Sequence, residues 1–556
     1  MAVSDDIKKA LSGALAGAGV TLAPSDVPLE HPAELSHGDY ATSVALAKAK
    51  EAGMNPRALA EKIVAELGQV PGVAKIDIAG PGFINFTLAS DAITTVIEQA
   101  RASDMWGQGA TRKGEKILVE YTDPNPFKEF HIGHLMSNAI GESASRLLDF
   151  TGAEVKRANY QGDVGPHVAK AIWGIQKLGL DANDAKQLGN AYTAGSEAYE
   201  NDPAVKLEID AINAKVYDRS DDVINEIYDA GRDASLAHFE ELYNLLGTKF
   251  DFYFFESKTA PKGMATVKAH PEVFEQSDGA WVYHGESEGL HTRVFITSKG
   301  LPTYETKDLG LVQLKAEAWS FDTSITVTAT EQKEYFRVVL AAMKKVLPEL
   351  ALKVQHISHG MMRLAEGKMS SRKGNVITGE SLIQELVEQA ALRASESRAS
   401  DIESLAKMIA VGAIKYQILK QASGKDITFD RERALSLEGD SGPYLQYAYA
   451  RTNAILAKAA DAGITAKTDA SITPNIVARL IPRFPEVVER AAAHLESHLV
   501  TNYLIELAAA FNSWYAQEQI LDGTPLAAHK VALVDAVRVT LKNGLWLLGI
   551  PAPEKM

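Results

Sequence analysis

Residues 119–142 read VEYTDPNPFKEFHIGHLMSNAIGE. The apolar run KILVEY at 116–121 has the composition of a buried strand, and a loop, TDPNPFKEF, cuts it where Pro124 and Pro126 forbid continuation as helix or sheet. Apolar spacing then becomes helical from about 132 to 150, and EVKRANY at 154–160 reads as a second strand. A strand, a loop, a helix and another strand form the βαβ unit of a parallel sheet.

Outward from this unit the alternation continues. A helix is expected at 166–178, and strands near 251–255, 281–284, 293–297, 325–329 and 353–357 alternate with helices as in a doubly wound parallel sheet. Residues 181–246 carry few strand signals and read as a helical insertion. Upstream, helical spacing at 5–18 and 56–67 flanks two β-like runs within 74–88, around the turn formers Gly80, Pro81 and Gly82, and a helix near 90–102 leads to a polar linker at 107–115. Beyond about 380 helical spacing dominates, at 381–394, 402–421, 443–462, 473–497, 500–517 and 526–547. The expected division is therefore 1–110, a small α/β domain; 111–380, a Rossmann-like doubly wound α/β domain; and 381–556, an all-α bundle.

Composition narrows the chemistry. The 556 residues suit about three or four domains. With 46% hydrophobic and 23% charged residues the chain can build cores and is not disordered. It has no cysteine, which removes disulfides, thiol nucleophiles, iron–sulfur clusters and cysteine-ligated zinc; no protein-bound zinc or other resident metal is expected. No apolar run is long enough to span a membrane, and Asp5 and Asp6 stand where a signal peptide carries positive charge, so a cytoplasmic protein without a membrane partner is expected. The formal charge of −15 argues against coating nucleic acid with the whole surface. Residues 441–556, however, hold 10 basic and 10 acidic residues, so that part is neutral and suits an anionic partner better than the rest.

Two segments carry chemistry. His131 and His134, three apart at the start of a helix, share one face, and the free N–H groups there favour phosphate. Gly133 between them lets a base or ribose approach the backbone. The second segment, HGMMRLAEGKMSSRKGNVI at 359–377, sets Arg363, Lys368, Arg372 and Lys373 against one acid, Glu366, in a loop between a strand and a helix. Cations in such a loop can neutralise charge developing on phosphate oxygens. Taken singly, an H-x-x-H pair or a basic loop is equally at home on an ordinary solvated surface.

Together, HIGH at 131–134 and KMSSR at 368–372 resemble the paired signature of the class I aminoacyl-tRNA synthetases. More closely, EYTDPNPFKEFHIGH, GLPTYETKDLG at 300–310, EGKMSSRKGN, DSGPYLQYAYAR at 440–451 and the ending LKNGLWLLGIPAPEKM are similar to the arginyl members of that class, from roughly residue 30 to the C-terminus. The resemblance implies ATP-dependent ligation of L-arginine to tRNA(Arg) through an arginyl-adenylate, with Mg²⁺ accompanying ATP and no protein nucleophile. It implies ATP contacts from His131, Gly133, His134, Lys368, Met369 and Ser370, with Lys128, Lys368 and Arg372 supplying catalytic charge. The family signature is usually KMSKS; here its second lysine is Ser371, and Lys128, just before HIGH, stands where arginyl enzymes place a substitute. Glu120, Tyr304 and Asp308 match the guanidinium pocket, and Asn125 and Gln332 the α-amino and carboxylate end. Phe83 and Asn85 match positions that hold a base of the tRNA D-loop, and Tyr447 and Tyr449 fall in a helical anticodon-binding region marked by DAVR at 535–538, close to the family's DALR. A monomer is expected. Two other functions compete: a HIGH-type nucleotidyltransferase acting on a small molecule, and a silent RNA-binding paralogue, for which Ser371 is the best support.

Overall fold

The structure is a computed structural model and describes residues 3–365, 378–394 and 401–556. Among the described residues its centre is a five-stranded parallel sheet: β1 (Lys116–Glu120), β2 (Glu154–Gln161), β3 (Phe252–Phe255), β4 (Thr323–Ala329) and β5 (Val354–His359), in the spatial order β5-β4-β1-β2-β3. The chain moves outward from β1 through β2 to β3, then crosses back to β4 and β5 on the other side of β1. This is the doubly wound order, and its direction reverses between β1 and β4, which opens a crevice at their carboxyl ends. Helix Ile132–Phe150 follows β1, and helices Ala185–Asn201, Pro203–Asp218 and Asp222–Leu246 fill the stretch expected to be helical.

Two expected strands do not join this sheet. Ala280–Tyr283 and Arg293–Ile296 form, with Glu275–Ser277, a separate antiparallel sheet. Asp278 and Gly279 take the left-handed conformation (φ 49° and 79°) between paired Ser277 and Ala280, the two-residue turn that Asp-Gly favours. The nine residues 284–292 are too few for the helical crossover a parallel neighbour needs. The helix expected at 473–497 is also interrupted: Ile476–Leu480 passes through a 3₁₀ turn, Ile481–Arg483, into Phe484–His494, because Pro482 and Pro485 cannot donate helical hydrogen bonds.

At the N-terminus, helices Val3–Gly17 and Pro56–Leu67 cover an antiparallel sheet with Phe83–Leu88 at its centre, where Ile84, Phe86 and Leu88 face the core. This unit docks on the C-terminal helices through Arg479 to Asp39 at 2.7 Å and the Tyr40 hydroxyl to Glu486 at 2.8 Å. The DAVR element is itself structural: Arg538 donates to Asp535 at 2.9 Å, and Asp535 also faces Arg101 of helix Ser90–Ala102 at 3.3 Å. No helix among the described residues is long and apolar enough to cross a membrane.

Two close packings place the crevice walls. Gly263 and Gly310 bring helices Glu256–Ala269 and Tyr304–Ala318 into backbone contact; a Cβ on Gly310 would lie 2.0 Å from the Thr259 carbonyl oxygen, and one on Gly263 1.8 Å from that of Thr306. Helix Ile132–Phe150 is anchored by the buried Glu142, which accepts from the Tyr121 hydroxyl at 2.5 Å, Arg146 at 2.7 Å and Arg157 at 3.2 Å. Burial pushes the Glu142 carboxyl up, but Arg146 and Arg157 outweigh it and hold the group below the ordinary carboxylate range. Arg146 also donates to the carbonyls of Trp546 and Gly247, both at 2.8 Å, and Ser143 to that of Leu547 at 2.9 Å, so the C-terminal helix grips this helix from behind. Glu142→Ala leaves two guanidinium groups and a hydroxyl without their acceptor and is expected to cost about 3–5 kcal/mol in urea-monitored unfolding.

Candidate active site

The loop after β1 is held by its own side chains. Thr122, Asp123 and Phe127 take left-handed backbone conformations (φ 81°, 50° and 66°), which non-glycine residues rarely adopt without compensation. The compensation is a set of bonds: Thr122 N–H to Ser137 Oγ at 3.0 Å, Tyr160 N–H to the Asp123 carboxylate at 2.7 Å, Gly162 N–H to Asn125 Oδ1 at 3.1 Å, and Phe127 N–H to Ser235 Oγ at 3.0 Å. Asn125 thus ties the loop to the end of β2.

The loop delivers the chain to helix Ile132–Phe150 with His131 as its N-cap. The two imidazoles form a reciprocal capping box: His134 N–H donates to His131 Nδ1 at 3.4 Å, and His131 N–H donates to His134 Nδ1 at 3.2 Å. Because each Nδ1 accepts a backbone proton, each neutral ring carries its hydrogen on Nε2. Burial, reinforced by Lys128, lowers the pKa of both rings, so they stay neutral near pH 7; for His134 the neighbouring His131 contributes as well. The rings stack at 3.4 Å between centroids. Two Nε2–H donors therefore stand beside a helix N-terminus, an arrangement suited to phosphate oxygens. Gly133 has a further reason: a Cβ there would lie 2.9 Å from His131 Cε1, so any side chain would displace the capping ring. Lys128 reaches this site with its ammonium 5.0 Å from the centre of the Tyr192 ring, which leaves it close enough to act on both histidines.

The opposite wall is acidic. Glu120, buried at the carboxyl end of β1, lies 2.7 Å from Lys315 Nζ. Asp308, one helical face earlier on Tyr304–Ala318, accepts from the Tyr335 hydroxyl at 2.6 Å. Burial, with the charge of Glu120 adding to it, pushes the Asp308 carboxyl up to about 7 despite that hydrogen bond. Asp123 is raised for the same two reasons, burial and Glu120. Among the described residues Asp123 and Asp308 have no ion-pair partner, and the ion pair of Glu120 is with Lys315. The pocket holds more buried carboxyl groups than it pairs with cations among the described residues.

Tyr304 opens this pocket, 60% exposed, with the Lys307 ammonium 5.0 Å from its ring, so it is not a core aromatic. Gln332 ends the short 3₁₀ turn Thr330–Gln332 just past β4, exposed on the same rim. Lys368, Met369, Ser370, Ser371 and Arg372 lie outside the described residues; Thr378 forms a bridge with His131, and Gly379 N–H donates to the Phe130 carbonyl at 2.8 Å. Asp123, Lys315 and Tyr335 escape a reading by motif. The spacing of seven between Asp308 and Lys315 puts both on one helix face and is the one sequence signal that could have linked them.

The RNA-facing candidates divide. Phe83 and Asn85 point away from the N-terminal core, on one face of their strand, with Phe83 partly exposed and Asn85 buried. Tyr447 is partly exposed and stacks with Arg451, whose guanidinium lies 4.7 Å from its ring and 5.1 Å from that of Tyr515. Tyr449 is a correction: at 4% exposure it belongs to the main hydrophobic core, because it falls on the opposite face of helix Gly442–Asp461 from Tyr447.

A doubly wound parallel sheet, with the HIGH helix capped by its own imidazoles at the switch point and a helical domain behind it, is a class I aminoacyl-tRNA synthetase architecture. Residues 96–431 match the family model of the class I (R) tRNA synthetase catalytic domain, residues 445–556 that of the DALR anticodon binding domain, and residues 3–88 that of the arginyl-tRNA synthetase N-terminal domain. The chain belongs to the arginyl-tRNA synthetases. It is 31% identical over 551 residues to an arginine–tRNA ligase of Clostridium perfringens (strain 13 / Type A), spanning 95% of this chain and 96% of that one. It is 32% identical over 547 residues to that of Streptococcus pneumoniae (strain CGSP14), with 95% of each chain covered. The arginyl-tRNA synthetase structure of Thermus thermophilus superposes with a TM-score of 0.82 at 26% identity, over 99% of both chains.

Proposed function

We propose that the crevice above β1 and β4 ligates L-arginine to tRNA(Arg) in two steps. A carboxylate oxygen of arginine attacks the α-phosphorus of ATP, the bond to the β-phosphate breaks, and pyrophosphate leaves; the terminal ribose hydroxyl of tRNA then takes the arginyl group and releases AMP. His131 and His134 donate Nε2–H groups to phosphate oxygens, Lys128 adds positive charge beside them, and Lys368 and Arg372 supply further catalytic charge. Gly133, Met369 and Ser370 complete the ATP contacts. Mg²⁺ enters with ATP and helps neutralise the pyrophosphate. Glu120, Tyr304 and Asp308 take the guanidinium, whose planar donors suit carboxylates, while Asn125 and Gln332 hold the α-amino and carboxylate end.

The observation that carries this assignment is the surplus of buried carboxylate at Asp123 and Asp308 beside a phosphate-ready helix N-terminus. Phe83, Asn85 and Tyr447 contact tRNA, and the chain divides functionally near 110 and 380, acting as a cytoplasmic monomer. The test is pyrophosphate exchange into ATP with each of the twenty amino acids, with and without total tRNA. Exchange with arginine alone is the expected outcome. Exchange with another amino acid would refute the pocket; none under any condition would favour a silent RNA-binding protein.

A further inference from the structure

Glu120 is held in place before a substrate arrives by a cation buried behind it. Glu120 is buried at the end of β1, with Asp123 on the following loop, Asp308 on helix Tyr304–Ala318 and Tyr160 on β2 bearing on the same charge, and Glu256 of helix Glu256–Ala269 acting on Asp308. None of these neighbours carries a positive charge that could pair with it. A carboxylate buried here without a cationic partner would stand uncompensated.

Lys315 prevents this. It is buried at 3% exposure, and its Nζ lies 2.7 Å from Glu120 Oε2, with Ser324 Oγ at 3.4 Å and Thr326 Oγ1 at 3.5 Å. Ser324 and Thr326 stand on β4, where Thr326 is the register partner of Glu120, so the ammonium is held from the strand beside the carboxylate and cannot swing into the pocket. The ammonium engages Oε2, and among the described residues it is the cation paired with Glu120. The carboxylate is charge-neutralised from the β4 side, through one of its two oxygens.

We infer that Lys315 is a positioning residue for arginine recognition: it pairs with Glu120 from the β4 side and holds the carboxylate facing the incoming guanidinium. The inference rests on the arginine pocket proposed above. Lys315 touches no substrate; it acts through Glu120. Without it, Glu120 loses its ion-pair partner among the described residues and the contact that fixes its orientation, and both losses fall on arginine binding.

The test is steady-state pyrophosphate exchange with tRNA present. Lys315→Met is expected to raise KM for arginine about 10- to 100-fold, the loss of about 1.4–2.8 kcal/mol of differential binding, with KM for ATP within about twofold of wild type. Lys315→Arg, which keeps the charge, is expected to recover most of the loss. A deficit that Lys315→Arg leaves in full, or one shared equally by ATP, overturns the inference in favour of a packing role. If Lys315→Met does not fold, the comparison of Glu120→Gln with Glu120→Gln/Lys315→Met decides, since neither leaves a buried carboxylate at that position. A second substitution that adds less than about twofold to the arginine KM supports action through Glu120, and an added factor of about ten or more refutes it. Wild-type exchange with arginine separates the two levels: its absence defeats the pocket, whereas its presence with an unchanged Lys315→Met defeats the role of Lys315 alone.

Discussion

Asp308→Ala is expected to raise KM for arginine by about 10²- to 10³-fold while KM for ATP stays near its wild-type value, because removing one member of a buried charge pair costs about 3–5 kcal/mol and each tenfold is about 1.4 kcal/mol. The selectivity of the loss follows from position: Asp308 sits on helix Tyr304–Ala318, across the crevice from the imidazole-capped N-terminus. Part of the cost is the Tyr335 hydroxyl, which loses its acceptor. Asp308→Asn keeps an oxygen there and separates that part from the charge. The same carboxyl fixes a pH signature. With burial and Glu120 holding it at about 7 in the empty pocket, it is protonated below that pH, whereas a bound guanidinium requires it ionised. Arginine binding therefore releases a proton below pH 7, and the arginine KM of the wild type falls as pH rises through 7 and then levels off. In Asp308→Ala that part of the dependence disappears. An Asp308→Ala enzyme with ATP and arginine weakened alike would remove Asp308 from the pocket.

His134→Ala is expected to lower kcat for adenylate formation by about 10²- to 10³-fold, the usual consequence of deleting a preorganised donor to developing phosphate charge, with KM for arginine little changed. The substitution also removes half of the capping box, worth about 1 kcal/mol of stability, which thermal unfolding measures separately. Because both rings are held neutral by burial and Lys128, kcat has no inflection from either histidine between pH 7 and 8. An inflection there that vanishes in His134→Ala would show that the ring works as an imidazolium, contrary to the tautomer imposed by the two backbone N–H donors.

Local pattern carried much of the architecture. The run KILVEY, the two prolines of TDPNPFKEF and the helical spacing after His131 determined the first βαβ unit, because strand content, missing donors and a period near 3.6 are properties of a few adjacent residues. HIGH and YETKD were legible for the same reason, each being a contiguous run with a chemical purpose. Tertiary structure decided what adjacency could not. Ala280–Tyr283 and Arg293–Ile296 have the content of parallel strands, yet the Asp278-Gly279 turn and a short connection fold them into a hairpin sheet of their own. Tyr447 and Tyr449 differ by two positions and one helix face, which sends one to the surface and the other to the core. The pairing of Glu120 with Lys315 joins residues 195 apart across β1, β4 and a helix, and only the close packing through Gly263 and Gly310 brings that helix near enough to set the charge of the pocket. Ion pairs and pKa values depend on distance and burial, and those belong to the fold.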